Sequence, residues 1–181
     1  MKKATLLAVA CALSAAAFGA HAQTSPMSNM YVEGTVASVT TDFGDGLKYK
    51  PRTVAAIVGY NVHPNLAVEG MLGLNASKGT ATIQNVSTSL KYTSTVGVFI
   101  KPRVAINNEA EVFARLGYVQ SRAKATAGTT TLTDTAEDFA YGLGANYNFD
   151  KNLYATLGYM VYYKKDDVKS SGFNVGVGYR F

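Results

Sequence analysis

The sequence has one cysteine, no tryptophan, two histidines and four prolines in 181 residues, and only 16% of them are charged. A single cysteine cannot close an internal disulfide, and it rules out a zinc site built from several thiolates. So low a charge excludes a disordered acidic or basic tail protein. Long apolar runs are missing too. Beyond the N-terminal segment the purest is Val54-Ala-Ala-Ile-Val58, far short of the roughly 20 residues that a membrane-spanning helix needs. This shortage leaves membrane strands open, because their two faces alternate and average out. The mean hydropathy, +0.03, is what such averaging produces.

Residues 1–22 read as a secretory signal peptide. Lys2 and Lys3 form a basic start, Leu6 to Phe18 is apolar and small, and Ala20-His21-Ala22 is a cleavage motif, with cleavage after Ala22. The stretch is too short and Ala-rich for a membrane anchor. The apolar run continues past Cys11, which argues against a lipoprotein. Processing removes Cys11 and His21 and leaves His63 as the sole histidine of a single domain over 23–181. No linker, heptad or internal repeat divides it.

The domain is dominated by period-two alternation, the pattern of strands with two different faces. Eight strands are predicted, at 30–39, 52–61, 66–75, 89–106, 110–121, 138–149, 153–163 and 171–181. Tight connections fall at His63-Pro64-Asn65, Asn107-Asn108-Glu109 and Asp150-Lys151-Asn152. Longer ones are expected at Thr40–Pro51, Ala76–Thr88, Arg122–Glu137 and Lys164–Ser170. Long and tight connections alternate, which gathers the long loops at one end of an up-and-down barrel.

One phase of these strands is apolar and uncharged, for example Val54, Ala56, Val58 and Tyr60, or Phe173, Val175, Val177, Tyr179 and Phe181. The other phase holds every strand charge: Glu33, Glu69, Lys91, Lys101, Arg103, Glu111, Arg115, Asp138 and Arg180. A soluble barrel puts its apolar phase inside; an outer-membrane barrel turns it to lipid. Side-chain size decides. The polar phase is rich in small residues such as Gly59, Gly97, Gly117, Gly142, Gly144 and Gly178, which suit a narrow interior and not a water-facing surface. The apolar phase carries many aromatics near strand ends, Tyr92, Phe139, Tyr163 and Phe173 towards the loops, as interfacial girdles do. The fold expected is all-β, an eight-stranded antiparallel transmembrane barrel. The charges of the polar phase must then pair, because an isolated ion inside so narrow a space loses its hydration. Glu69 and Arg115 are the most central candidates, and the inward glycines leave room for small water pockets.

The C-terminal run Asn174-Val-Gly176-Val-Gly-Tyr179-Arg-Phe181 resembles the assembly signal of bacterial outer-membrane proteins. Gly59-Tyr60-Asn-Val-His-Pro-Asn-Leu66-Ala-Val-Glu69 and Ala110 to Tyr118 resemble hairpins of small opacity-protein, OmpX/Ail-like and OmpA transmembrane-domain-like barrels. The resemblance covers 30–181. It implies export across the periplasm to the Gram-negative outer membrane, insertion by the barrel-assembly machinery, a monomer, and outer-membrane lipid as surroundings. With the sequence ending at Phe181, no peptidoglycan-binding domain is expected.

The resemblance also brings in the lipid A deacylases and palmitoyltransferases, barrels that use Ser/His chemistry. A hydroxyl nucleophile needs an adjacent base. His63 sits in a tight turn, at the wrong end for lipid of the outer leaflet, so no enzyme is expected. Asp42-Phe43-Gly44 lacks the loops of a kinase, Gly142-x-Gly144 opens no helix, and the pairs Asp42/Asp45 and Asp166/Asp167 read as solvated turns. No cofactor, metal or nucleic-acid partner is expected. Function is left to the loops, where Lys48, Lys50, Arg52, Lys78, Arg122, Lys124, Lys164, Lys165 and Lys169 outnumber the acids. These cations suit lipopolysaccharide phosphates. A structural role in envelope integrity is favoured; an adhesin or serum-resistance protein with an unknown host ligand, and a small channel, are the alternatives.

Overall fold

Lipid offers no hydrogen bonds to a backbone, so strands that enter it must pair on both edges. The computed structural model describes residues 29–43, 48–83, 86–127, 130–165 and 168–181. The signal-peptide cleavage site at Ala22, and Asp45, Asp166 and Asp167, lie outside these residues. In chain order the strands are β1 (Met30–Asp42), β2 (Lys48–Tyr49), β3 (Arg52–His63), β4 (Leu66–Ser77), β5 (Gly79–Ile83), β6 (Val86–Ala105), β7 (Ala110–Ala127), β8 (Thr130–Asn148), β9 (Leu153–Lys165) and β10 (Val168–Arg180). Eight of them form an antiparallel meander in which β10 returns to β1, with Tyr31 opposite Arg180 and Asp42 opposite Lys169. The short β2 and β5 add to β1 and β6 at the loop end. The seam is extended by the Phe181 N–H, which donates to the Met30 carbonyl at 3.1 Å. The sheet is closed.

The apolar phase faces outward. Val58, Leu72, Val98, Leu143, Leu157 and Val175 are all exposed on the barrel wall, an arrangement only lipid makes favourable. At the tight-turn end Tyr147 packs edge-on against Phe149, and Tyr179 against Phe181, with ring centres 5.6 and 5.3 Å apart. Tyr159 and Phe173 form a similar pair higher up, at 4.9 Å.

Local hydrogen bonds explain the tight turns. Asn107 Oδ1 accepts from the N–H groups of Glu109 and Ala110 at 2.9 and 2.7 Å, and Asp150 Oδ1 from those of Asn152 and Leu153, each at 2.8 Å. The two N–H donors hold the Asp150 carboxyl below its ordinary pKa. A depressed folded pKa stabilises the turn above the unfolded value, and that contribution is lost as the pH falls through the folded one. His63 ends β3 and accepts from the Asn65 N–H at 3.2 Å, so the turn itself is Pro64-Asn65.

Four features depart from the sequence reading. First, most of the expected long loops are strand. β7 and β8 pair in register as far as Ala127 opposite Thr130, and β1, β4, β6, β9 and β10 also run further towards the loop end. Second, a bulge between Tyr92 and Ser94 of β6 reverses the phase above it. Tyr92 therefore turns into the lumen, where its hydroxyl meets Thr41 and Ser170, and Lys91, expected inside, faces out opposite Lys124. Third, an irregularity between Ser170 and Ser171 in the β9–β10 pairing brings Tyr163 to the lumen as well. Neither tyrosine belongs to a girdle. Fourth, the space beside Gly59, Gly144 and Gly178 is occupied by aromatic rings, not by water. A Cβ on Gly59 would overlap the Tyr31 ring, one on Gly144 the Phe113 ring, and one on Gly178 the Tyr154 ring. Each of these three glycines seats a large side chain from a neighbouring strand.

A barrel with every long strand paired on both sides unfolds as a unit and resists detergent. Refolded protein is expected to migrate differently on a gel before and after boiling; identical migration would contradict closure.

Candidate functional site

Inward positions of four strands converge at mid-lumen. Glu33 comes from β1, Glu69 from β4, Lys101 from β6 and Arg115 from β7, and none is more than 3% exposed. Arg115 grips Glu69 with two parallel bonds, Nε–H to Oε2 at 2.6 Å and Nη2–H to Oε1 at 3.0 Å, and its Nη2 also donates to Glu33 Oε2. Lys101 Nζ donates to Glu33 Oε1 at 2.7 Å and lies 3.2 Å from Glu69 Oε1. Two phenols complete the set. Tyr31 donates to Glu69 at 2.6 Å and Tyr154 to Glu33 at 2.8 Å. The quartet is neutral, and each carboxylate has both a cation and a phenol as partners. Aromatic faces cover the cations: Lys101 Nζ lies 4.4 Å from the centre of the Phe113 ring and Arg115 4.9 Å from it.

A second cluster sits nearer the tight turns. Glu111 accepts from Arg180 Nη2 at 3.0 Å and from Asn146 Nδ2 at 2.6 Å, with Arg103 looser at 3.9 Å. Arg103 Nε–H donates to the Pro64 carbonyl at 3.0 Å, and Arg180 packs 4.1 Å over the Tyr154 ring. Of the nine charges that the sequence places inside, Glu33, Glu69, Lys101, Arg103, Glu111, Arg115 and Arg180 lie in two adjacent layers. Above the quartet comes an apolar plate of Phe99, Val119, Ala140 and Met160, against which Met71 and Tyr162 pack. The three layers succeed one another from the tight turns to mid-height.

The hydrogen-bonding roles of the Tyr31 and Tyr154 phenols and of the Asn146 amide were not singled out in the sequence. Alternation places these side chains inside, but which carboxylate each reaches depends on strand register, which a sequence does not display.

Beyond the apolar belt the outer wall becomes basic. Lys91 of β6 stands directly opposite Lys124 of β7, and Arg122 is the next outward residue towards the membrane. Lys164 and Lys169 oppose each other in the same way on β9 and β10. Like charges directly opposite across a sheet repel. At this end Asp42 pairs with Lys48 at 2.9 Å and stands opposite Lys169 across the β1–β10 seam. Lys50, Arg52, Lys78 and Lys165 are exposed at the same end. Asn174, Gly176, Tyr179 and Phe181 lie along β10 and its end, where the last strand meets the first.

Removing one member of a buried ion pair leaves the other desolvated and unpaired, at a cost of about 3–5 kcal/mol. Arg115→Met is expected to lower the unfolding free energy of the refolded barrel by that amount in a urea titration. Arg122→Met, a cation on the outer wall, should change it little. Equal effects would show that the quartet is not special.

The geometry agrees with known proteins. A family model described as the outer membrane protein beta-barrel domain matches residues 5–181. Among solved structures, Ail, the attachment invasion locus protein of Yersinia pestis, superposes with a TM-score of 0.63 at 22% identity, covering 84% of this chain and 97% of Ail. Neisserial surface protein A gives 0.69 at 18% identity, covering 85% and 98%. The N-terminal barrel domain of Pseudomonas aeruginosa OprF gives 0.56 at 12%, covering 82% and 97%. No curated protein matches the sequence. These likenesses extend the fold and not a ligand. The lipid-facing belt, the closed eight-stranded sheet and the family match together make this chain a member of the outer-membrane β-barrel protein family, resident in the Gram-negative outer membrane.

Proposed function

We propose that the protein is a non-enzymatic, monomeric barrel that supports envelope integrity, its filled lumen keeping the membrane sealed while its basic rim binds lipopolysaccharide phosphates. The observation that carries this reading is the rim of opposed lysines, Lys91 with Lys124 and Lys164 with Lys169, just beyond the apolar belt. Such pairs are unfavourable in isolation and become favourable once an external anion lies between them. Arg122, and Lys48, Lys50, Arg52, Lys78 and Lys165 nearer the loops, extend the same field. In this reading Asn174, Gly176, Tyr179 and Phe181 form the signal read by the assembly machinery.

A second reading, capture of a sulfated or phosphorylated surface ligand by the same cations, is favoured by one comparison: Ail has been crystallised with the heparin analogue sucrose octasulfate. A soluble polyanion would then protect the barrel as well as lipopolysaccharide does.

Two outcomes are expected. Lipopolysaccharide in the bilayer should raise the Tm of the wild type over that in phosphatidylcholine, and Lys91→Glu with Lys124→Glu should remove most of the gain; an unchanged gain would contradict the rim. Deleting Phe181 should leave periplasmic aggregate at the expense of inserted protein, whereas normal outer-membrane levels would contradict the signal.

A further inference from the structure

Above the apolar plate the lumen is not filled. A cavity of about 370 Å³ lies there, on the loop side, near the lower end of small-molecule sites, which span roughly 300–1,000 Å³. Its walls include Ala37, Val39, Ala55, Met71, Ala123 and Leu132. The interior of an outer-membrane barrel is ordinarily polar, and the charged layers of this one follow that rule below the plate. The exposed lining above it is mostly apolar, a departure from that rule, with hydroxyls of Thr35, Thr53, Thr95 and Ser121 set among the apolar side chains.

The wall carries a hydroxyl pair, Thr95 with Ser121 at 3.2 Å, and a ring of three hydroxyls from β1, β6 and β10. Thr41 Oγ1 lies 2.8 Å from the Tyr92 hydroxyl and 3.0 Å from Ser170 Oγ, and Tyr92 lies 2.9 Å from Ser170. In such a ring each hydroxyl donates once and accepts once, which leaves each oxygen a lone pair and no proton to offer. The ring therefore suits a ligand that donates. Asp134 is the acidic group among the described lining residues, but it is exposed and accepts from its neighbour's N–H at 2.8 Å, so it sets no demand for a cation.

The sheet is distorted to build this chamber. Two pairing irregularities, in β6 and between β9 and β10, occur towards the loop end. They bring Tyr92 and Tyr163 to the lumen, where both line the cavity. Bulges commonly re-aim a side chain at a functional site, and here two tyrosines leave the lipid-facing phase, where an amphipathic ring is most at home.

We propose that the loop-side lumen is a binding site for an uncharged, mostly apolar small molecule carrying one hydroxyl or N–H donor, which the Thr41–Tyr92–Ser170 ring receives. The site is independent of the basic rim. The test uses barrel in detergent-free nanodiscs, labelled with ¹³C at methionine methyls, titrated with 2-naphthol and with naphthalene. Met71 lines the cavity, whereas Met30 lies on the lipid-facing side near the tight turns. The Met71 signal is expected to shift saturably with either probe while Met30 does not. Tyr92→Phe should weaken 2-naphthol about tenfold and leave naphthalene unchanged. Ala55→Leu with Ala123→Leu, which fill the chamber, should abolish the Met71 shift, the gel shift on boiling confirming that this variant still folds. A non-saturating shift shared by Met71 and Met30, or a Met71 shift that survives filling, would mean partition into the bilayer and overturn the proposal. Equal losses for both probes in Tyr92→Phe would overturn the role given to the hydroxyl ring.

Discussion

Four full charges are held almost free of solvent inside a barrel only wide enough for side chains, and the remaining structure is arranged so that they can be. Burying an ion costs several kcal/mol, and only complete pairing offsets it. Here the pairing draws on β1, β4, β6 and β7 for charges and on β1 and β9 for phenols. Slipping any of these strands by one residue would move its inward set to the lipid side. It would also leave a desolvated charge behind. The quartet thus fixes register across much of the sheet at one point, and the glycines that admit Tyr31, Phe113 and Tyr154 are part of the same requirement.

The lumen is consequently stratified. The charged layers and the plate of Phe99, Val119, Ala140 and Met160 occupy the half near the tight turns. The loop-side half is left for other uses, and there the sheet departs from regular alternation. Outside, the same stratification reads as an apolar belt followed by a basic rim, so the rim and the chamber share one level of the barrel while facing opposite ways.

Much of this was legible in the sequence because period-two alternation is a local signal. The outward apolar phase, the tight turns and the inward placement of Glu33, Glu69, Lys101, Arg103, Glu111, Arg115 and Arg180 follow from it. What was not legible depends on pairing between strands. The bulges beside Tyr92 and at Ser170/Ser171 insert a residue without changing the composition, so counting by twos carries Tyr92, Lys91 and Tyr163 to the wrong face. The segment 122–137, rich in Ala and Thr, lacks the contrast that marks a strand, yet β7 and β8 continue through it because each supplies the other's hydrogen bonds. Gly59, Gly144 and Gly178 read as empty space for a related reason: which ring lies over which glycine is set by the stagger of neighbouring strands.

The central claim is that buried ion pairs and aromatic side chains seal the lumen. Purified wild-type protein in a planar lipid bilayer measures this most directly. The account predicts insertion without stable conductance, because no hydrated ion can pass a layer in which every charge is already paired. Steady single-channel currents from the wild type would contradict it.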